Sequence, residues 1–221
     1  MRSFYIENIT TQDGLIHQGI FYEPKKHSKV AFLYIHGLTG RFYGDMKIIE
    51  PLCELGEKKG FAVASFNNRG HDLIVSIRSS VANGKSRSHK IIGSGKEHFE
   101  DSIFDIKAGV DFLEEKGFSQ IILVGISTGA NKACYYQATQ KDKRIRAVVL
   151  ASPLSDRLSA YKDKKEMQKK VLLMKKLIQQ GKGDDLYLDY YYPITPKRYL
   201  SLHEKGSKED CFDYGGPKPK D

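Results

Sequence analysis

The sequence contains no tryptophan and only three cysteines among its 221 residues. Cys53, Cys134 and Cys211 lie far apart and form neither a CxxC pair nor a zinc-binding pattern. They therefore predict reduced thiols in a cytoplasmic protein. No apolar run approaches the roughly 20 residues that span a bilayer, and residues 1–8 lack the apolar segment of a secretory signal. These absences exclude a disulfide-stapled secreted domain and argue against a membrane partner.

Acidic residues are too few to balance the basic ones, since the chain has 36 Lys and Arg but only 27 Asp and Glu. The formal net charge of +9 could indicate a nucleic acid, an anionic membrane or an acidic substrate. However, many of the lysines lie between 162 and 182 or near the C-terminus, and the sequence contains no nucleic-acid-binding module. We therefore expect a solvated basic surface and no nucleic-acid partner.

Apolar runs typical of strands alternate with helical patterns over residues 1–156, which predicts an α/β core with a mostly parallel sheet and helices on both faces. Val30–Ile35, for example, is apolar throughout, as expected for a strand that is buried on both faces. The polar segment 73–95 contains glycine and predicts a long surface loop or a hairpin. We expect six strands, at residues 3–8, 15–22, 30–35, 61–66, 121–124 and 147–151, and helices at 46–59, 99–113 and 128–139.

The character of the sequence changes after residue 156. An amphipathic stripe of Met167, Val171, Met174 and Ile178 is surrounded by lysines and predicts a helical cap over residues 157–210. Residues 211–221 are rich in glycine and proline and predict a loop or tail. The cap and the 73–95 segment would roof a substrate pocket.

Ser127 lies in the pattern Gly-Ile-Ser-Thr-Gly at 125–129, directly after a predicted core strand and before a predicted helix. A serine hydroxyl is a poor nucleophile unless it is exposed and its proton is removed. The Gly-x-Ser-x-Gly elbow exposes the serine on a sharp, strained turn, and its glycines let strand and helix approach each other. The pattern therefore predicts that Ser127 is a nucleophile. The alternative is a glycine-rich turn in which the serine only caps the helix.

The segment His-Gly-Leu-Thr-Gly at 36–40 directly follows the third predicted strand. An acyl intermediate carries an oxyanion, which needs preorganised N–H donors. With an elbow nucleophile, one donor is the next residue and the other comes from the loop after the third strand. We expect these donors to be the backbone N–H groups of Thr128 and Leu38. The alternative is an ordinary glycine-containing loop, and His36 is expected to have a structural role.

Together these motifs resemble the N-terminal two-thirds of an α/β-hydrolase, with strands and motifs in the order of that superfamily. The turn at 67–72, Asn-Asn-Arg-Gly-His-Asp, resembles its Asp-x-Arg-Gly-His-Gly segment, with Asn67 and Asp72 as departures. Arg69 is expected to brace this turn, and His71 is not expected to be a base. The chain is also similar to a hydrolase-like family of unknown substrate. The resemblance implies a hydrolase of carboxylic esters or related small acyl substrates, without metal or organic cofactor.

The superfamily order is serine, then an acid after the seventh strand, then a histidine after the eighth. The sequence predicts only six strands, so strands seven and eight are expected to be absent. After Ser127 the only histidine is His203, in a polar context that predicts an exposed helix end. Asp156 ends the sixth predicted strand, and we favour it as the cap of the first cap helix rather than as the triad acid.

Three hypotheses follow for the missing base. The chain belongs to a longer protein whose acid and histidine follow Asp221, which we favour, and the 221 residues alone are then nearly inactive. A second hypothesis is an inactive, hydrolase-like binding or scaffold protein. The third is a rearranged triad in which Asp156 is the acid and His203 the base.

Overall fold

A computed structural model describes residues 3–80, 87–159, 164–188 and 192–212. Eight strands lie in these residues: β1 (Tyr5–Thr10), β2 (Ile16–Tyr22), β3 (Val30–Ile35), β4 (Ala62–Phe66), β5 (Val75–Ser80), β6 (Arg87–Ile92), β7 (Gln120–Ile126) and β8 (Ile145–Ala151). The helices are α1 (Met46–Lys59), α2 (Ser102–Glu115), α3 (Thr128–Gln140), α4 (Asp156–Ser159), α5 (Lys164–Gln179) and α6 (Pro196–His203), and a 3₁₀ turn (Phe99–Asp101) precedes α2.

The central sheet has six strands in the order β1-β2-β4-β3-β7-β8. Strands β4, β3, β7 and β8 are parallel, whereas β1 and β2 form an antiparallel hairpin at one edge. This arrangement confirms the predicted α/β class with a mostly parallel sheet. Because β3, β4 and β7 are parallel, their C-terminal ends meet at one edge of the sheet, and β2 begins at the same edge.

Apolar side chains cover both faces of the sheet. Leu33 and Leu123 pack on one face with residues of α2 and α3. Phe32 and Val124 pack on the other face with Ile49 and other residues of α1. The prediction of helices on both faces is therefore confirmed, and it follows from the continuous apolar character of β3 and β7.

The expectation that strands seven and eight are absent is wrong, because the described residues contain eight strands. The two that the strand count missed are β5 and β6, which pair antiparallel within the 73–95 segment. In β5, Ile77 and Ser79 are buried while Ser76 and Arg78 are exposed. Such a strand alternates between polar and apolar faces and contains no apolar run, so it escaped a count based on buried strands.

Helices α5 and α6, which lie in the predicted cap, contribute to a small apolar cluster that is separate from the two clusters on the sheet. Met174 packs with Ile194, Tyr199 and Leu202, and Met167 is also buried. The predicted stripe therefore faces this cluster. Parts of the tyrosine-rich stretch, and the predicted tail from 213 onwards, lie outside the described residues. No helix among the described residues is long and apolar enough to cross a membrane.

Among the described residues, strand β8 pairs only with β7, so it is one of the two edges of the central sheet. Its side chains are poorly covered, with Val149 46% and Leu150 37% exposed. The opposite edge strand β1 also has one neighbour in the sheet, β2, and its Tyr5 and Ile6 are 58% and 59% exposed.

Candidate active site

Ser127 lies between the end of β7 and the first residue of α3. Its backbone has φ 52° and ψ −128°, a left-handed conformation that is rare and costly for a residue with a side chain. Its N–H donates to the carbonyl of Ala151 at the end of β8 (3.0 Å). The strained turn is therefore held by the neighbouring strand as well as by the helix that follows.

The two glycines around Ser127 allow the strand and the helix to touch. A Cβ atom on Gly125 would lie 2.4 Å from the carbonyl oxygen of Gly129, and one on Gly129 would lie 2.3 Å from the carbonyl oxygen of Ile35. Both distances are far below van der Waals contact with backbone atoms that have little freedom to move. Glycine at each position is thus a steric requirement of this turn.

The Ser127 side chain does not cap the helix that it precedes. Ser127 is the N-cap residue of α3, but its hydroxyl makes no capping hydrogen bond. Among the described residues, no side chain hydrogen-bonds this hydroxyl, which is partly exposed. The capping alternative from the sequence analysis is therefore not what the geometry supports.

The 36–40 loop lies directly against Ser127. A Cβ atom on Gly37 would be 3.0 Å from the Ser127 Cβ and 3.5 Å from its Oγ. The loop closes on itself, because the Gly40 N–H donates to the Gly37 carbonyl (3.1 Å). A side chain at position 37 would crowd the serine.

Leu38 and Thr128, the two residues predicted to supply N–H donors, directly follow Gly37 and Ser127 in the sequence. Thr128 is the first residue of α3, and the first N–H groups of a helix have no acceptor within it. No backbone acceptor among the described residues contacts the Leu38 N–H. Positive helix-dipole charge also accumulates at the α3 N-terminus, where an anion would be stabilised.

His36 is fully buried and has a structural place in the loop. Its Nε2 accepts a hydrogen bond from the Asn68 N–H (3.1 Å), and its Nδ1 lies 2.9 Å from the Gly37 carbonyl. Burial lowers the pKa of His36 to about 3. It is therefore neutral at pH 7 and occupied on both nitrogens.

Arg69 braces the turn at 67–72, as the sequence analysis expected. Its guanidinium pairs with Asp105 at the start of α2 (2.9 Å) and with Asp13 in the β1–β2 turn (3.2 Å). Asp105 also contacts the buried His17 (3.0 Å). The pKa of Asp105 lies well below its usual range because Arg69 and His17 outweigh the effect of its burial.

His71 follows in the same turn and contacts Asp72 through Nδ1 (2.8 Å). Burial lowers the pKa of His71. Asp72 in turn accepts from the Arg41 guanidinium (2.6 Å). This histidine belongs to a bracing network, and the expectation that it is not a base stays a prediction.

A buried chain of alternating charges lies beside the elbow helix and was missed by the sequence analysis. Lys132 on α3 pairs with Glu97 (2.6 Å), Glu97 with Arg198 on α6 (2.9 Å), and Arg198 with Glu209. All four are buried. Because these four residues come from distant parts of the sequence, no local pattern predicts their ion pairs. The one local indication was that Lys132 lies among small residues on α3.

Asp156 and His203 are brought together, but not onto Ser127. The His203 imidazole hydrogen-bonds the Asp156 backbone, and burial lowers the His203 pKa to about 4. The expectation of an exposed His203 is wrong, since it is only 3% exposed. The reason is that α6 is amphipathic and places Tyr199, Leu202 and His203 on its inner face. Asp156 is the first residue of α4, and its expected role as the cap of the first cap helix stays a prediction.

No group of three or more His, Cys, Asp or Glu side chains in the described part of the chain is arranged to hold a metal ion.

The sequence was compared with protein families and with curated proteins. The family described as "Protein of unknown function (DUF1749)" matches residues 80–215, more than half of the chain. No curated protein matches the sequence significantly.

Several solved structures share the fold at low sequence identity. DcsB in complex with its substrate analogue is 19% identical with a TM-score of 0.58, over 84% of this chain and 56% of that one. The Pyrococcus furiosus esterase Pf2001 is 21% identical with a TM-score of 0.51, over 81% and 56%. The alpha/beta hydrolase GrgF from Penicillium sp. sh18 is 15% identical with a TM-score of 0.58, over 90% and 72%.

The chain spans little more than half the length of the first two structures, and at these identities the likeness concerns the fold. The family match identifies the chain as a member of the DUF1749 family, and its fold resembles that of the alpha/beta hydrolase GrgF.

Proposed function

We propose that this chain is a serine hydrolase of carboxylic esters or related small acyl substrates. Ser127 is the nucleophile, and the backbone N–H groups of Leu38 and Thr128 form the oxyanion hole. The proposal includes no metal, organic cofactor, nucleic acid or membrane.

One observation carries the proposal: Ser127 adopts a left-handed φ of 52° while its hydroxyl makes no helix-capping bond. A serine that served only the helix would accept a bond from the N–H of N2 or N3 and would need no strain. A strained serine with an uncommitted hydroxyl is the arrangement that a nucleophile requires. The likeness to the esterase Pf2001 points in the same direction.

In the proposed reaction, the Ser127 Oγ attacks the ester carbonyl carbon while its proton passes to a base. The resulting oxyanion is stabilised by N–H donors at the α3 N-terminus and in the 36–40 loop. Expulsion of the alcohol, after it has received a proton, gives the acyl-enzyme. Water then attacks the acyl carbonyl and releases the acid and free Ser127.

The mechanism needs a base that accepts the Ser127 proton. Two of the described histidines, His36 and His71, already hydrogen-bond other groups. His203 is neutral at pH 7 because burial lowers its pKa, but its imidazole bonds the Asp156 backbone. We therefore propose that full activity needs a histidine and an acid in addition to these. The Asp156–His203 pair is the rearranged alternative.

The test is labelling with a serine-directed fluorophosphonate, followed by peptide mapping, together with hydrolysis of a p-nitrophenyl ester. Wild-type protein should be labelled slowly at Ser127, because the proposed oxyanion donors act there without the additional base, and Ser127→Ala should remove the label. Any turnover should fall by about 10⁴ to 10⁶ when the nucleophile is lost. Ser152→Ala is the matched control, since Ser152 is also a serine with left-handed φ (46°) after a parallel strand.

His203→Ala separates the two proposals for the base. If the base is not His203, this variant should keep the wild-type labelling rate. A large loss of labelling, with the fold intact by circular dichroism, would instead favour the rearranged pair. A label that persists in Ser127→Ala would contradict the nucleophile assignment.

A second candidate function is that of an inactive, hydrolase-like binding protein. It is favoured by one observation, that no described imidazole contacts the Ser127 hydroxyl. For such a protein, Ser127→Ala should leave ligand affinity intact, and folded wild-type protein should resist the fluorophosphonate altogether.

A further inference from the structure

We propose that Lys132 is a positioning residue: through Asn68 and His36 it holds the 36–40 loop against Ser127. This inference rests on the proposed function, because it assigns Lys132 to the same site without contact with substrate. It concerns the way in which the oxyanion loop keeps its place.

Lys132 lies on α3, five residues after Ser127, and is fully buried. Burying an ammonium group is costly unless it is paired and hydrogen-bonded. Its Nζ donates to the Glu97 carboxylate (2.6 Å) and to the Asn68 Oδ1 (3.0 Å). The ion pair with Glu97 compensates the charge, and the second bond directs Lys132 toward the turn after β4.

Asn68 has its side chain fixed in one orientation by these contacts. Lysine donates only, so the Asn68 atom that faces Lys132 must be the oxygen. The same oxygen accepts from the Gly70 N–H (3.0 Å). The amide nitrogen is then directed at the His36 carbonyl (3.3 Å). With its side chain held at both ends, Asn68 presents its backbone N–H to the His36 Nε2 (3.1 Å).

His36 passes this constraint to the loop. Because Nε2 accepts a hydrogen bond, the proton of the neutral ring is on Nδ1, which donates to the Gly37 carbonyl (2.9 Å). Gly37 lies against the Ser127 side chain. Its carbonyl belongs to the same peptide group as the Leu38 N–H. The path from Lys132 to the proposed oxyanion donor therefore consists of hydrogen bonds with defined donors.

The surroundings of His36 keep its ring neutral. Besides burial, Lys132 on α3 and His71 after β4 lower its pKa, whereas the Gly37 hydrogen bond and Glu97 raise it. A protonated His36 would lose the bond from the Asn68 N–H, since Nε2 would become a donor. Keeping the ring neutral thus preserves the path.

If Lys132 had only a structural role, it would make the same ion pair with Glu97, but its loss would not move the 36–40 loop. Two variants separate these roles. Glu97→Gln disturbs the buried charge but leaves the bond from Lys132 to Asn68. Lys132→Met with Glu97→Gln removes both the charge and that bond, and leaves no unpaired carboxylate at position 97. Lys107→Met on α2, an exposed lysine paired with Asp111, is the surface control.

The first readout is NMR of the folded variants, which requires no catalysis. It follows the imidazole nitrogens of His36 and the backbone amides of Gly37 and Leu38. The double variant should shift all three sets of signals relative to Glu97→Gln, and Lys107→Met should match wild type. Signals of the double variant that coincide with those of Glu97→Gln would overturn the proposal.

The second readout is the rate of fluorophosphonate labelling at Ser127, measured well below each variant's melting temperature. The double variant should be at least about tenfold slower than Glu97→Gln, since losing one oxyanion donor costs about 10² to 10³. Equal rates despite shifted NMR signals would also overturn the positioning role. If wild-type Ser127 is not labelled, the proposed function fails, while the NMR comparison still decides whether Lys132 holds the loop.

Discussion

At the scale of single residues, Asp156 is a partly buried carboxyl group in an unfavourable place. Burial and the nearby charge of Glu209 raise its pKa to about 6, while Arg198 opposes them. The folded protein thus prefers Asp156 protonated. The stability that this preference supports is complete below about pH 4, the ordinary pKa of an aspartate, and is lost as pH rises through about 6.

Asp156→Asn should therefore stabilise the protein at neutral pH. We expect the free energy of unfolding to rise by about 1–3 kcal/mol at pH 7.5, and the gain to vanish near pH 4. Urea unfolding of wild type and variant across this pH range measures the difference.

Asp142→Asn is the control with the opposite sign. The hydrogen bond from Arg144 lowers the pKa of Asp142 to about 2, so its contribution is present at neutral pH and lost on acidification. This variant should be less stable than wild type at pH 7.5. If both substitutions changed stability in the same direction, the account of Asp156 would be wrong.

Residues whose role depends on local backbone were predictable. The elbow at 125–129 could be predicted because its glycines and serine are neighbours in sequence, although the catalytic role of Ser127 stays a prediction. The burial of His203 and the pairing of Lys132 with Glu97 were not predictable, because both depend on which distant segments pack together. A polar context in sequence says little about burial when the partners are far away.

At the scale of elements, the contact between β7 and α3 tolerates no side chain at position 125. Gly125→Ala would place a Cβ atom 2.7 Å from the Ala130 Cα. We expect the free energy of unfolding to fall by about 1–3 kcal/mol, because the helix must move away from the strand. Chemical denaturation measures this loss.

Gly44→Ala serves as the matched control for this substitution. A Cβ at Gly44 would lie 3.4 Å from the Arg41 carbonyl, an ordinary contact. Its effect should stay within about 0.5 kcal/mol. Equal stability losses in the two variants would contradict a specific strand–helix constraint.

Most elements of the core followed from apolar runs and helical stripes, and β3 matches its prediction at both ends. The hairpin β5–β6 was only one of two possibilities for the 73–95 segment. Its strands have one exposed face, so they lack the continuous apolar run that identifies a central strand. Helices α5 and α6 lie within the segment predicted as a helical cap, and the cap assignment and the division of the chain at 156 stay predictions.

At the scale of the whole molecule, β8 is an edge strand of the central sheet that carries partly exposed apolar side chains. Exposed edge strands with apolar side chains promote association between chains. We expect concentration-dependent self-association of wild type, and Val149→Lys should reduce it with little change in stability. Light scattering over a range of protein concentrations tests this.

Leu172→Lys is the comparison, since Leu172 on α5 is 67% exposed and lies away from any strand edge. It should leave self-association close to that of wild type. An equal reduction by both lysines would point to net charge rather than to the β8 edge.

The buried chain from Lys132 to Glu209 restricts how this fold can be recombined. Its four charges alternate in sign. Glu97 and Lys132 lie in the predicted core, residues 1–156, whereas Arg198 and Glu209 lie in residues 157–210, the predicted cap. Loss of one member leaves an uncompensated buried charge on its neighbour. Relatives should therefore keep or replace the four as a set, and a segment grafted in place of residues 157–210 from a protein of the same fold would be accepted only if it brought an arginine and a glutamate to meet Glu97.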